Sequence, residues 1–246
     1  MIRVLRSIPA EHLKLLIFDL DGTLVDSQLD LAHAVNAMLR KFDRAELPVD
    51  VIATYIGDGA PMLIRRALGD PQDERFVKDA LHYFMAYYRE HKLDNTQAYA
   101  GIPEALSELR DRSNGRFRMA VLTNKPVNPS RGIIEGLGMN DFFLQIYGGN
   151  SFSTKKPDPF GARVLLQETG AAPEETLMIG DSQVDVLTAR NAGMWSLGVT
   201  YGFAPESLQK HPPDVLIDSP SELTSAIGMG AVSREGEIPA REGFTE

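Results

Sequence analysis

A short apolar run that ends abruptly at an acidic residue is the feature that most constrains this chain. The run Leu15–Phe18 reads Leu-Leu-Ile-Phe, and Asp19-Leu20-Asp21-Gly22 follows it directly. Such a run is typical of a buried parallel strand that stops at a loop. If the chain stays extended, Asp19 and Asp21 point the same way, and Gly22 allows a sharp turn beside them. A plain strand followed by an Asp-Gly turn would give the same local pattern.

The two neighbouring carboxylates predict a cation. They repel each other, so both ionise only where a cation or a proton compensates their charge. A hard divalent metal with oxygen ligands is the natural compensation, and Mg²⁺ is the natural choice. Ligands of open α/β sheets bind outside the carboxyl ends of the strands. The pattern therefore predicts a magnesium site at the end of this strand.

Strand and helix patterns alternate over most of the chain. Strand patterns lie at residues 14–20, 117–122, 144–147, 176–179, 195–199 and 215–217, with helical patterns between the later ones. This alternation predicts an α/β fold with a doubly wound parallel sheet. Residues 27–98 carry only helical patterns, which predicts an inserted all-helical cap domain. We therefore expect a Rossmann-like core at 1–26 and 99–228, the cap at 27–98, and a flexible tail at 229–246.

Further candidates for chemistry follow the later strands. Thr123 ends a strand and could bind a phosphoryl oxygen, although a threonine in that position is usually a cap. Lys155 and Lys156 stand before a proline, where a ligand cation and a solvated basic loop both fit. Asp181 and Asp185 could share one metal ion, or they could cap a helix and stabilise its dipole. The residues alone leave these alternatives open.

The composition excludes several classes of function. The chain has no cysteine, so a disulfide, a thiolate nucleophile and a cysteine-ligated zinc site are impossible. The net charge of −9 argues against a nucleic-acid surface, which needs a basic stripe. The first residues contain no apolar leader segment, and no apolar run reaches the roughly 18 residues that a membrane span needs. We therefore expect a soluble cytoplasmic protein with no nucleic-acid or membrane partner.

Four motifs together resemble those of the haloacid dehalogenase-like hydrolases. They are DLDGTLVDS from Asp19, LTNKP from Leu122, the family's K-P-x-P from Lys156, and GDSxxDxxxAxxAG from Gly180. The resemblance covers residue 14 to about residue 226. It implies a hydrolase core with an inserted helical cap and a Mg²⁺-dependent reaction at phosphorus.

The resemblance also implies a role for each acidic residue. Asp19 attacks phosphorus and forms an aspartyl-phosphate, and Asp21 protonates the leaving oxygen and then deprotonates the hydrolytic water. Asp19, Asp181 and the backbone carbonyl of Asp21 hold Mg²⁺, while Asp185 holds a metal-bound water or a lysine. The dehalogenases of the superfamily lack the second aspartate, so Asp21 favours phosphoryl transfer.

The resemblance assigns the phosphoryl oxygens to the second and third motifs. Thr123, Asn124 and Lys156 hold these oxygens as charge redistributes. The K-P-x-P motif selects Lys156 over Lys155, and Lys125 is a weaker candidate for the same charge.

Part of the cap resembles the bacterial phosphoglycolate phosphatases. The matching stretch runs from Tyr55 to Gly69, and a second match begins at Tyr99. The resemblance makes a small phosphorylated metabolite the expected partner and 2-phosphoglycolate the leading substrate. We expect Arg65 or Arg66 to bind the substrate carboxylate and Gly57 to belong to a substrate loop. Four aromatic residues at helical spacing are assigned to packing between cap and core: Tyr83, Phe84, Tyr87 and Tyr88.

Other functions fit the same scaffold. A phosphosugar phosphatase, or a phosphomutase of the β-phosphoglucomutase type, would keep the fold and the motifs. The mutase needs a phosphoenzyme that outlives attack by water. A non-catalytic binding protein is a further alternative, against which the intact motif residues argue. The sequence is compatible with a monomer and with a homodimer.

Overall fold

A seven-stranded sheet forms the centre of the protein. The structure is a computed structural model that describes residues 1–112 and 115–228. In chain order the strands of the described residues are β1 (Arg3–Val4), β2 (Leu15–Phe18), β3 (Val25–Asp26), β4 (Gln97–Ala98), β5 (Arg118–Leu122), β6 (Gln145–Tyr147), β7 (Thr176–Gly180), β8 (Trp195–Val199) and β9 (Val215–Ile217). The large sheet has the order β1-β9-β8-β7-β2-β5-β6, and every pair in it except β1 with β9 is parallel. The predicted doubly wound α/β fold is confirmed.

The helices of the described residues cover both faces of this sheet and form a separate group at one end. They are α1 (Gln28–Lys41), α2 (Val49–Ala53), α3 (Ala60–Ala67), α4 (Glu74–His91), α5 (Ile102–Arg112), α6 (Val127–Gly136), α7 (Phe160–Thr169), α8 (Gln183–Ala192), α9 (Ser207–Lys210) and α10 (Leu223–Ala226).

Strand β2 lies at the middle of the sheet and is buried along its whole length. Its side chains alternate between two apolar clusters, with Leu16 and Phe18 in one and Leu15 and Ile17 in the other. A strand that is covered on both faces needs an apolar side chain at every position. This requirement explains why the sequence pattern identifies β2 so clearly.

Two short strands, β1 and β4, are not predicted by the sequence pattern. Strand β1 is a two-residue antiparallel edge whose residues are exposed, so it carries no alternation of apolar and polar side chains. Strand β4 pairs with β3 in a two-residue antiparallel ribbon, in which Val25 lies opposite Ala98. The expectation that residues 27–98 hold only helices is therefore wrong at Gln97 and Ala98.

Helices α1–α4, named the cap below, lie between the two strands of this ribbon. Helix α1 packs mainly on α4, and α3 packs on both. Helix α2 has only five residues, because the chain turns after Ala53 and reaches Gly57 with a positive φ of 116°. The ribbon thus places both ends of the cap next to the loop that follows β2.

A buried carboxylate fastens this junction. Asp30 lies in the first turn of α1 and is only 1% exposed. It accepts hydrogen bonds from the backbone and side chain of Asn95 at 2.8–3.0 Å and from those of Thr96 at 2.7–2.8 Å. Burial alone would raise the pKa of Asp30, but these bonds outweigh it and hold the pKa below its ordinary value. Asp30 therefore ties α1 to the segment that leads out of the cap.

Among the described residues, no helix is both long enough and apolar enough to cross a membrane. The expected flexible tail at 229–246 lies outside the described residues.

Replacing Asp30 tests whether its hydrogen bonds to Asn95 and Thr96 stabilise the junction between cap and core. Asp30→Ala removes the acceptor of the buried Thr96 donors and of the partly buried Asn95 donors, and we expect it to lower the free energy of unfolding by about 3 kcal/mol. Urea unfolding of the variant and the wild type measures the difference. Asp79→Ala, at an exposed position of α4, is the control and should change stability by less than about 0.5 kcal/mol.

The effect of Asp30→Ala also depends on pH. Because the folded-state pKa is lowered, the stabilisation by Asp30 is complete above its ordinary pKa of 3.8 and is lost as pH falls through the folded value. The stability gap between wild type and Asp30→Ala should therefore shrink below about pH 4. Equal stabilities of the Asp30 and Asp79 variants at neutral pH would contradict the stabilising role of Asp30.

Candidate active site

The carboxyl ends of β2, β5 and β7 meet in a cleft that the cap covers. Parallel pairing of β2 with both neighbours puts Asp19, Thr123 and Asp181 at the same edge of the sheet. Residues of the cap, among them Gly57 and Tyr88, line the opposite wall. The strand-end residues that the sequence singles out thus come together at one place.

Lys156 is the central cation of the cleft floor. Its Nζ lies 3.0 Å from Asp19 Oδ1 and 2.6 Å from Asp185 Oδ1. The other carboxylate oxygen of Asp185 accepts hydrogen bonds from the backbone N–H and the hydroxyl of Ser182, at 3.2 and 2.8 Å. Burial alone would lower the pKa of Lys156, but Asp185 and Asp19 outweigh burial and raise it. The ammonium group therefore stays charged and holds Asp19 in place.

Negative charge exceeds positive charge at this position. Carboxylate oxygens of Asp19, Asp181 and Asp185 lie within 4.8 Å of one another. Burial raises the pKa of Asp19 to about 6, although Lys156 opposes the shift. Burial, together with the charges of Asp185 and Asp19, raises the pKa of Asp181 well above its ordinary value. A divalent cation would remove this repulsion, and an all-oxygen donor set suits a hard metal ion, so the residues fit a metal.

Two glycines and one backbone amide fix the position of Asp181. Its Oδ2 accepts a hydrogen bond from the N–H of Phe203 at 2.7 Å. A Cβ atom added to Gly22 would lie 2.2 Å from Oδ2, and one added to Gly202 would lie 2.3 Å from the Asp181 Cβ. Gly22 also has a positive φ of 78°. The glycine of the first motif is therefore required both by the turn and by the space that Asp181 fills.

Asp21 faces a different cation. Lys125 Nζ lies 2.9 and 3.1 Å from the two Asp21 oxygens, and the Ser27 hydroxyl donates to Asp21 Oδ1 at 2.5 Å. Lys125 also donates to the hydroxyl of Tyr88, on cap helix α4, at 2.7 Å. Burial alone would lower the pKa of Lys125, but Asp21 and Tyr88 outweigh burial and raise it. Each of the two aspartates of the first motif thus has its own buried lysine.

These contacts of Asp21 are the part of the site that sequence reasoning misses. Lys125 is interpreted above only as a weaker alternative to Lys156 and Tyr88 only as packing, and Ser27 has no assigned role. Only the position of Lys125 in the LTNKP motif hints at its role. The aromatic pattern of α4 gives no signal that separates Tyr88 from its neighbours.

Thr123 and Asn124 are buried and line the same cleft. The Thr123 hydroxyl accepts a hydrogen bond from the N–H of Lys125 at 3.2 Å, so its own proton can be donated elsewhere. The amide nitrogen of Asn124 donates to the carbonyls of Gly57 and Lys156, each at 3.0 Å. Asn124 therefore connects the cap loop to the loop that carries Lys156.

The cap arginines lie elsewhere. Arg65 makes two 2.7 Å contacts with Glu74 and one of 3.3 Å with Asp70, and Arg66 pairs with Asp58. Neither arginine lines the cleft. The placement does not support the expected role of Arg65 or Arg66 in binding a substrate carboxylate, because both guanidinium groups are neutralised within the cap.

Lys155 and Gly57 both lie where the cap meets the core. Lys155 is exposed and donates to the backbone carbonyl of Asp58, whereas Lys156 is buried beside Asp19. Gly57 lines the cleft, and no atom lies within 4 Å of the position that its Cβ would take. The structure therefore separates the two adjacent lysines and puts Gly57 at the cleft wall.

An α/β core with paired strand-end aspartates, buried lysines and a helical cap defines a class of hydrolase, and comparison with known proteins identifies the family. The family model described as "Haloacid dehalogenase-like hydrolase" matches residues 16–199. The phosphoglycolate phosphatase of Colwellia psychrerythraea is 37% identical over 217 residues, which cover 85% of this chain and 95% of that protein. The phosphoglycolate phosphatase of Photobacterium profundum is 36% identical over 224 residues, which cover 88% of this chain and 96% of that protein.

Solved structures agree with these relatives. A predicted phosphoglycolate phosphatase from Haemophilus somnus is similar with a TM-score of 0.81 and 31% identity, covering 87% of this chain and 97% of that one. The chain belongs to the haloacid dehalogenase-like hydrolase family, as the motifs predict. It is an enzyme, a phosphoric monoester hydrolase similar to phosphoglycolate phosphatases.

Replacing Gly22 tests the packing around Asp181. Gly22→Ala places a methyl group against the Asp181 carboxylate, and we expect it to weaken divalent-metal binding at least about 10-fold. Isothermal titration with Mg²⁺ and Mn²⁺ measures this affinity. Gly69→Ala is the matched control, because Gly69 has a similar φ of 76° and open space around it.

Both alanine variants carry a backbone strain of roughly 1–2 kcal/mol. Only Gly22→Ala should change metal affinity. The same metal affinity in both variants would contradict the role of Gly22 beside Asp181.

Proposed function

We propose that the protein is a Mg²⁺-dependent phosphatase that hydrolyses a small phosphomonoester through an aspartyl-phosphate on Asp19, with 2-phosphoglycolate as its substrate. One observation carries this proposal. Asp19 and Asp21 lie side by side at the end of β2, yet each is held by a different buried lysine, Lys156 and Lys125. Two carboxylates held separately in this way can perform two different steps of one reaction.

Asp19 is the nucleophile in this proposal. Among the described residues its side-chain contacts fall on Oδ1, which accepts from Leu20 N–H at 2.7 Å and faces Lys156 at 3.0 Å. Oδ2 is then the oxygen available to attack phosphorus. A bond forms between Oδ2 and phosphorus as the bond from phosphorus to the leaving oxygen breaks.

Asp21 is the proton carrier. Its protonated carboxyl gives the proton to the leaving oxygen, which leaves as an alcohol. The resulting carboxylate then takes a proton from the water that attacks the phosphorus of the intermediate. Inorganic phosphate is released and the Asp19 carboxylate is restored. Ser27 and Lys125 orient Asp21 for both transfers.

Three residues are suited to hold the phosphoryl group. The hydroxyl of Thr123, the backbone N–H of Asn124 and the ammonium of Lys156 belong to residues around the end of β2. All three residues are buried, so their dipoles and charge act at low local dielectric. They stabilise the equatorial oxygens while charge moves between the attacking and leaving oxygens.

Asp19, Asp181 and the backbone carbonyl of Asp21 would hold Mg²⁺. Mg²⁺ supplies positive charge that lets the anionic substrate approach an anionic nucleophile. The carboxylate of Asp185 is engaged by Lys156 and Ser182, which supports a role in positioning rather than in direct coordination.

The substrate assignment rests on the relatives and on the cleft. The curated relatives named above are phosphoglycolate phosphatases of similar length. Much of the wall facing the phosphate-holding residues is apolar, and the cap covers it, so a small leaving group fits better than a nucleotide. Gly57 at this wall belongs to the proposed substrate loop.

Phosphate release from a panel of phosphomonoesters tests the proposal. The panel contains 2-phosphoglycolate, sugar phosphates, nucleotides and pyrophosphate, each with Mg²⁺ and with EDTA. We expect Mg²⁺-dependent release with the highest kcat/KM for 2-phosphoglycolate. Asp19→Asn should reduce turnover by roughly 10³-fold or more. Asp141→Asn, at an exposed position, is the matched control and should keep wild-type turnover.

The alternatives give different outcomes. Preference for sugar phosphates would keep the mechanism and contradict the substrate. Conversion of a sugar phosphate to its isomer without net phosphate release would favour a mutase. A folded protein that binds Mg²⁺ but hydrolyses no phosphomonoester would favour a binding protein.

A further inference from the structure

The charge of the cleft limits how it can bind a carboxylate. Its described lining residues include three acids, Asp19, Asp21 and Asp181, and one cation, Lys125. Lys156 lies beneath this lining, paired with Asp19 and Asp185, and the proposed Mg²⁺ would lie at Asp19 as well. A leaving group that carries a carboxylate brings one more negative charge, which the acids would repel more strongly in a buried site than in water. Lys125 is the lining cation on the side of Asp21, so it can offset this charge.

Lys125 can turn one donor toward a ligand. An ammonium group has three N–H donors, and among the described residues Lys125 Nζ lies within hydrogen-bond distance of three acceptor atoms, the Tyr88 hydroxyl at 2.7 Å and both oxygens of Asp21 at 2.9 and 3.1 Å. Its side chain is 4% exposed and lines the cleft. Two of the three contacts go to one carboxylate, so a ligand carboxylate can replace the longer one while Lys125 stays paired with Asp21.

Tyr88 adds a second donor beside the first. Its hydroxyl accepts the bond from Lys125 at 2.7 Å, so the Tyr88 proton is left to donate. Within the described chain, the Tyr88 hydroxyl makes no other hydrogen bond than the one from Lys125. The ring is 2% exposed and stacks on Phe84, so the hydroxyl is held in one place by packing. Two buried donor groups thus lie next to each other in the lining of the cleft.

We propose that Lys125 and Tyr88 together form the subsite that binds the carboxylate of the substrate's leaving group. The inference rests on the proposed function, because it requires a leaving group that carries a carboxylate. In 2-phosphoglycolate one methylene separates the leaving oxygen from the carboxylate. Asp21 protonates the leaving oxygen in the proposed mechanism, and Lys125 is in direct contact with Asp21. The carboxylate therefore falls within reach of Lys125.

The apolar surroundings of the subsite would strengthen an ion pair between Lys125 and a substrate carboxylate. The wall around Tyr88 is apolar, formed by residues that include Leu31, Leu63, Phe84 and Met85. An ion pair with few polar competitors and little water is strong. The subsite also explains how a carboxylate is bound while Arg65 and Arg66 stay paired within the cap.

Comparison of two substrates tests the subsite. Ethyl phosphate has the same number of carbon atoms in its leaving group as 2-phosphoglycolate but no carboxylate. The measured quantity is kcat/KM for 2-phosphoglycolate divided by kcat/KM for ethyl phosphate. We expect this ratio to fall roughly 10- to 100-fold in Lys125→Met and about 10-fold in Tyr88→Phe, mostly through KM for 2-phosphoglycolate.

The ratio separates recognition from positioning. Lys125→Met also removes the partner of Asp21, and that loss lowers turnover of both substrates by a common factor that cancels. Tyr88→Phe keeps the ring and decides the question if Lys125→Met does not fold. Tyr87→Phe, at the next position of α4, is the matched control and should keep the wild-type ratio.

Two negative results have different meanings. A wild-type enzyme that prefers 2-phosphoglycolate, with the ratio unchanged in both variants, would overturn the subsite and leave the proposed function standing. A wild-type enzyme with no preference for 2-phosphoglycolate over ethyl phosphate would overturn the proposed substrate and the subsite with it.

Discussion

The gathering of carboxylates at one edge of the sheet is the constraint on which the rest of the site depends. Parallel pairing of β7 with β2 brings Asp181 beside Asp19, and Asp185 follows one helical turn later. The cost of burying this charge is offset by Lys156, which touches both Asp19 and Asp185. The remaining excess of negative charge creates the demand for a metal ion. The clustered carboxylates therefore have two effects. Their repulsion destabilises the folded protein, and it also favours the binding of a cation, which in turn offsets the charge of an anionic substrate.

The cap and the catalytic loops share their contacts. Asn124 donates to the carbonyl of Gly57, Lys125 donates to Tyr88, and Lys155 donates to the carbonyl of Asp58. In each case the donor belongs to a loop that follows a core strand, and the acceptor belongs to the cap. The docking of the cap on the core therefore helps to position the loops that carry Asn124, Lys125 and Lys155.

Much of the fold and of the core site can be predicted from the sequence, because those features depend on local patterns. The Leu15–Phe18 run identifies the central strand, since a strand buried on both faces tolerates no polar residue. Asp19, Thr123 and Asp181 each follow such a strand, so parallel pairing alone brings them together. The two-residue strands β1 and β4 are too short to carry a pattern. The contact of Lys125 with Tyr88, and the pairing of Arg65 with Glu74, depend on how the cap docks and on which charges neutralise one another.

Trapping the covalent intermediate tests the central claim, which is that Asp19 itself accepts the phosphoryl group. The wild-type enzyme is mixed with 2-phosphoglycolate and Mg²⁺, quenched in acid within the first turnover, and digested for mass spectrometry. The account predicts a phosphoryl group on the peptide that contains Asp19, located on that residue, and none in Asp19→Asn. Full turnover by the wild type with no phosphorylated Asp19 at any quench time, together with turnover retained by Asp19→Asn, would contradict it.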